Sequence, residues 1–120
     1  MTLGNPRSGM SGVTTHVLDV ARGKPASGVG VRLEAKKGEG FEEIGRGATD
    51  DDGRLRTLTS GAVPAGTYRI TFDTGAYFAR LGVEGFYPEA SVVFVIRDEL
   101  SHYHVPLLLS PFGYSTYRGS

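Results

Sequence analysis

The chain has no cysteine, three histidines and no net charge, and each shortage narrows what the protein does. Without cysteine there are no disulfide staples, no thiolate nucleophile and no cysteine-based zinc site. A thiol-free chain suits either redox compartment. Thirteen basic residues balance thirteen acidic ones, so no global field draws nucleic acid, an anionic membrane or a polyanionic substrate. Binding must come from a local site. No apolar run approaches the roughly 20 residues needed to span a bilayer, and Met1 to Gly12 (MTLGNPRSGMSG) lacks the apolar core of a secretory signal. The expectation is a soluble, cytoplasmic protein. A length of 120 residues fits one domain with one modest core.

What the chain does have is punctuation. Eighteen glycines and six prolines cut it into short pieces, and the pieces are rich in the β-branched and aromatic residues that suit a pleated, half-buried backbone. The expected strands are Val13 to Val20, Val29 to Lys37, Glu42 to Ala48, Arg54 to Leu58, Gly66 to Phe72, Ala90 to Val95, His102 to Leu109 and Gly113 to Tyr117. Short strands at such spacing predict an all-β sandwich or barrel. Thr74 to Leu81 (TGAYFAR followed by Leu81) is the one helical candidate, with Tyr77 and Leu81 one above the other and Gly82 as the stop. Asp50-Asp51-Asp52-Gly53 reads as a turn with Asx chemistry; no distal glutamate completes a calcium loop. Gly38, Gly40 and Gly45 to Gly47 are hairpin glycines, since no lysine-hydroxyl pair follows to make a phosphate loop.

Each of the three histidines, His16, His102 and His104, falls within an expected strand. Alternate residues of a strand share a face, so Tyr103, Val105, Leu107 and Leu109 form a core side, and His102, His104, Pro106 and Leu108 the other. Two imidazoles followed by apolar groups are not how a purely solvated face looks, and something should cover it. His16 and Leu18 likewise oppose Val17. A single strand histidine is ordinarily a surface or hydrogen-bonded structural residue, an isolated D-G-R arginine a solvated turn flank, and a terminal segment a frayed end. Ser110 to Ser120 (SPFGYSTYRGS) is unlike ordinary fraying sequence, because its last four residues combine a phenol, a guanidinium, a flexible glycine and a hydroxyl.

Four segments, V-T-T-H-V-L-D from Val13, T-D-D-D-G-R-L from Thr49, S-H-Y-H-V-P-L-L-L-S from Ser101 and S-P-F-G-Y-S-T-Y-R-G-S from Ser110, occur in one order. Together they resemble the hydroxyisourate hydrolase branch of the transthyretin-like family, over about Val13 to Ser120. The carrier branch of that family lacks the histidine pair and the Y-R-G-S ending. The resemblance implies a sandwich of two four-stranded sheets with one short helix, occupying residues 13–120 after a flexible or disordered segment 1–12. It further implies a cofactor-free, metal-free homotetramer, a dimer of dimers, that opens 5-hydroxyisourate in urate breakdown.

By the same resemblance, His16, Arg54, His104 and Ser120 are catalytic, and His16, Arg54, Tyr117 and Arg118 hold substrate. The chemistry is coherent: imidazole, with an ordinary pKa near ~6.5, takes a proton from water and returns one at neutral pH. A guanidinium presents a planar fork of donors to the oxo groups of an anionic ring. Arg56 shares strand parity with Arg54, and the D-G-R match selects Arg54. Which imidazole is the base, which of Tyr117 and Ser120 touches substrate, and what His102 does all stay open. Two other functions compete: a transthyretin-type carrier without catalysis, and a zinc enzyme using all three imidazoles.

Overall fold

The computed structural model describes residues 12–120, and their β-prone runs form nine strands and one helix. The strands are β1 (Gly12–Asp19), β2 (Lys24–Pro25), β3 (Gly30–Lys37), β4 (Gly40–Ala48), β5 (Arg54–Leu55), β6 (Gly66–Phe72), β7 (Ala90–Ile96), β8 (His102–Ser110) and β9 (Gly113–Thr116), with α1 (Thr74–Arg80) between β6 and β7. The expected segment 1–12 lies outside the described residues, apart from Gly12, which opens β1.

One sheet has four strands in the order β4-β3-β6-β7; the other has five, β2-β1-β8-β9 with β5 also on β1. Four had been expected in each. The difference arises because two short pieces share one edge of β1: β5 pairs with Thr15 and His16, and β2 with Leu18 and Asp19. The expected strand Arg54 to Leu58 stops at Leu55. Beyond it Leu58 turns inward, 2% exposed, and its carbonyl packs on Gly45.

The inner faces meet in a core that includes Val13, Val17, Leu107 and Leu109 from one sheet and Leu33, Ile70 and Phe72 from the other. Along β8 the expected core side, Tyr103, Val105, Leu107 and Leu109, is buried, and Pro106 on the opposite face is buried as well. Helix α1 is capped by Asp73, whose side chain accepts from the Ala76 N–H, and Leu81 caps its C-terminus. Its buried aromatics are Tyr77 and Phe78, whereas Leu81, the expected partner of Tyr77, is exposed.

Tyr77 also reaches the other sheet. Its hydroxyl donates to Asp19 Oδ2 at 2.7 Å, while Oδ1 accepts from the Arg22 N–H at 3.0 Å. Asp19 is 1% exposed, so a lost donor leaves a buried carboxylate oxygen without compensation. Tyr77→Phe is expected to cost about 1–3 kcal/mol, read as a lower urea midpoint. An unchanged midpoint would show that the hydroxyl contributes nothing.

Candidate active site

Strands β1 and β8 run parallel in one unbroken register, Gly12 opposite His102, Thr14 opposite His104 and His16 opposite Pro106. Segments some ninety residues apart thereby present Thr14, His16, His102 and His104 on one outward face. On the other edge of β1, β5 sets Arg54 opposite His16. The turn before β5 fixes that register. Asp50 Oδ1 accepts from the N–H groups of Asp52 and Arg54 at 2.9 and 3.0 Å, and these bonds, the one from Arg54 foremost, hold its carboxyl below the usual range. Gly53 closes the turn at φ 77°, where a Cβ would come within 2.4 Å of the Val17 carbonyl oxygen, so glycine is required there.

Thr14 stands between two imidazoles. Its Oγ1 lies 2.8 Å from His102 Nε2 and 2.8 Å from His104 Nδ1. Thr15, of opposite parity, turns inward and donates to the Val105 carbonyl. His16 Nε2 is 2.9 Å from the Asp52 carbonyl oxygen. A carbonyl only accepts, so that nitrogen carries the hydrogen and, in the neutral ring, Nδ1 carries the lone pair.

The C-terminal segment returns along β8. The Gly119 N–H donates to the His104 carbonyl at 2.8 Å, and a Cβ at Gly119 would come within 2.6 Å of His104 Cδ2. Only glycine allows so close a pass over the ring. The Arg118 guanidinium stacks 4.4 Å from the centroid of Tyr103, whose buried hydroxyl accepts from the Arg97 and Asp98 N–H groups. Tyr117 is exposed. With Arg118 it lines a second, apolar cavity of about 250 Å³ beside Val92, Phe94 and Val105.

A cleft of about 540 Å³ is lined by Thr14, Arg54, Arg56, His102, His104 and Ser120, with Thr15 and the loop residues Thr59, Ser60 and Gly61. Of the expected site residues, Arg54, His104 and Ser120 line this cleft and His16 sits beside it on the same face. Tyr117 and Arg118 belong to the other cavity. Both candidate arginines, 54 and 56, reach the cleft. Thr14 was not singled out from the sequence, though its parity with His16 was the available signal. The loop residues Thr59 to Gly61 carried no signal at all. Burial is the main cause that lowers the His104 pKa, followed by the charges of His102, His16, Arg54 and Arg56. Among the described residues, no group of three or more His, Asp or Glu side chains is arranged to hold a metal ion. No helix among them is long and apolar enough to cross a membrane.

A two-sheet sandwich with an imidazole-lined cleft on its outer face is a transthyretin-like fold carrying a polar site. The HIUase/Transthyretin family matches residues 13–119, and the chain belongs to that family. It is 48% identical to a 5-hydroxyisourate hydrolase of Salmonella typhi over 94% of this chain and 84% of that protein. Among solved structures, the 5-hydroxyisourate hydrolase of Klebsiella pneumoniae superimposes with a TM-score of 0.81 at 44% identity, covering 90% of this chain and 98% of that one. Sea bream transthyretin in complex with thyroxine gives 0.83 at 37% identity, covering 89% and 93%.

A pH titration of the histidine ring signals by NMR is expected to put the His104 midpoint below the ordinary ~6.5, because burial and the neighbouring cations disfavour the charged ring. A midpoint at or above the ordinary value would remove the electrostatic account of this site.

Proposed function

We propose that this chain hydrolyses 5-hydroxyisourate to 2-oxo-4-hydroxy-4-carboxy-5-ureidoimidazoline, adding water across a ring amide bond in urate breakdown. The observation that carries the reading is the cleft shared by a neutral-leaning imidazole, His104, and the Arg54 guanidinium. Relatives that cover most of the chain are named for this reaction. Sequence family alone would leave the chemistry unassigned to residues; the cleft supplies candidates for each step.

His104, kept neutral at ordinary pH, takes a proton from water as it attacks the carbonyl. Arg54, with Arg56 beside it, stabilises the oxyanion and orients the anionic ring. His16 shares the proton traffic through Nδ1, the nitrogen left free for acceptance by its bond to Asp52. The proton passes to the leaving ring nitrogen as the C–N bond breaks. Ser120 contributes a hydroxyl from the tail. Tyr117 and Arg118 support the same tail from the adjoining cavity, and in this reading they act on substrate by holding Ser120 in position. The half-buried outer face with Leu18 and Leu108 would be covered in a homotetramer, a dimer of dimers that closes the cleft between subunits.

The test is the ultraviolet decay of freshly generated 5-hydroxyisourate. Wild type is expected to accelerate it, and His104→Asn and Arg54→Glu each to lose about a hundredfold or more in kcat/KM with unchanged circular dichroism. The acid limb of the kcat/KM profile should lie below pH ~6.5, since a depressed pKa preserves the basic ring to lower pH. Saturable thyroxine binding with no acceleration would replace the hydrolase with a carrier. Light scattering that finds monomers at working concentration would overturn the assembly.

A further inference from the structure

A hydroxyl has one proton to give, and the Thr14 hydroxyl faces two ring nitrogens at 2.8 Å each. Among the described residues it has no third partner to take that proton, so the arrangement that satisfies it within the protein donates to one ring and accepts from the other. If Thr14 donates to His104 Nδ1, the His104 proton resides on Nε2, and His102 must donate from its own Nε2. If instead His104 donates from Nδ1, Thr14 donates to His102 Nε2, and the His102 proton resides on Nδ1. In neutral rings two states satisfy both contacts and also give the hydroxyl proton a ring acceptor: both protons on Nε2, or both on Nδ1.

We infer that Thr14 is a positioning residue that couples the tautomers of His102 and His104, so that His104 offers a lone pair at Nε2 only when His102 is protonated on Nδ1. This inference rests on the hydrolase reading for its consequence in catalysis, not for the coupling itself. In the state with both protons on Nδ1, His104 Nε2 is the basic atom. When that atom takes a proton from water, the Nδ1 proton of His104 can pass to Thr14 Oγ1 while the hydroxyl proton passes to His102 Nε2. The N–H and O–H bonds broken equal those formed. The positive charge then resides on His102, and His104 is neutral with its proton on Nε2; as that proton passes to the leaving nitrogen, His102 Nε2 returns a proton to Thr14 and Thr14 gives one to His104 Nδ1, restoring the starting state. No cofactor or oxidant enters the step. The rings are well disposed for it, with centroids 6.1 Å apart and planes inclined by 31°. The groups that face His104 electrostatically are His102 on its own strand, His16 on β1, Arg54 on β5 and Arg56 just beyond it.

With three histidines in the chain, long-range proton–nitrogen correlation spectra resolve the ring tautomers, provided His102→Gln and His16→Gln variants assign the signals. Above the titration range, wild type is expected to show His102 and His104 protonated on the same-named nitrogen, Nδ1 in both for the basic state. Thr14→Val keeps the β-branched shape without the hydroxyl and should release the coupling, while Thr14→Ser should retain it. In the decay assay Thr14→Val is expected to lose about a hundredfold in kcat, the lower end of what acid–base catalysis supplies, with KM within about threefold, and Thr14→Ser to recover most of it. Opposite tautomers in the two wild-type rings, or a Thr14→Val enzyme with wild-type kcat and pH profile, would overturn the inference. Wild-type protein that shows coupled tautomers yet no acceleration would sink the hydrolase reading and leave the coupling standing.

Discussion

The parallel pairing of β1 with β8 is the constraint on which the rest of the molecule depends. It joins segments some ninety residues apart in sequence, and hydrogen bonds alone do not select its register, because each is worth only about 1 kcal/mol net and every register offers them. The inner faces decide. Val13, Val17, Val105, Leu107 and Leu109 are all buried, at about 1.5–3 kcal/mol each. A slip of one residue would turn all the side chains of one strand to the wrong side. The cleft is thus a by-product of core packing: once the aliphatic side chains are inward, Thr14, His16, His102 and His104 have no choice but to share the outward face.

That face acquires its electrostatic character locally. The chain as a whole is neutral, yet the cleft is lined by two arginines, two histidines and hydroxyls, with no acidic side chain among the described lining residues. Asp50, which feels the charges of Arg56 and Arg54, has its Oδ1 committed to backbone N–H groups in the turn. An anionic ring entering the cleft meets guanidinium charge that is not already satisfied by that carboxylate oxygen. The same positive surroundings, together with burial, push the His104 imidazole toward neutrality. One distribution of charge thereby favours an anion in the cleft and disfavours the charged form of the ring.

Most of the strand pattern was legible in the sequence, since glycines and prolines mark the turns and parity marks the faces, and His102 to Ser110 folds as the alternation predicts. What was not legible is non-local. Nothing in Arg54 to Leu58 says that β5 ends after two residues, because the chain leaves β1 there as Leu58 turns inward against Gly45 of β4. The two-residue β2 has no propensity signal of its own. Thr14 and Thr15 are chemically identical, and only the sidedness of β1 sends one hydroxyl to the histidines and the other to the Val105 carbonyl. The tail stood out in the sequence, but its internal division was invisible: Arg118 stacks on Tyr103 while Gly119 passes over His104, because successive residues of an extended chain face opposite ways.

The backbone does not choose between hydrolysis and carriage. The chain superimposes about equally well on a hydroxyisourate hydrolase and on a transthyretin bound to thyroxine, and a shared fold fixes no function. The discrimination has to come from side chains on the outer face of β1 and β8 and from the segment that crosses them. A passive hydrophobic channel would gain nothing from a threonine hydroxyl suspended between two imidazoles, and would lose binding energy by lining itself with polar groups that must be desolvated. A site for proton transfer needs such groups, held by hydrogen bonds that fix which nitrogen carries the lone pair. Gly119 points the same way: the tail backbone passes so close to His104 that a Cβ at this position would meet the ring.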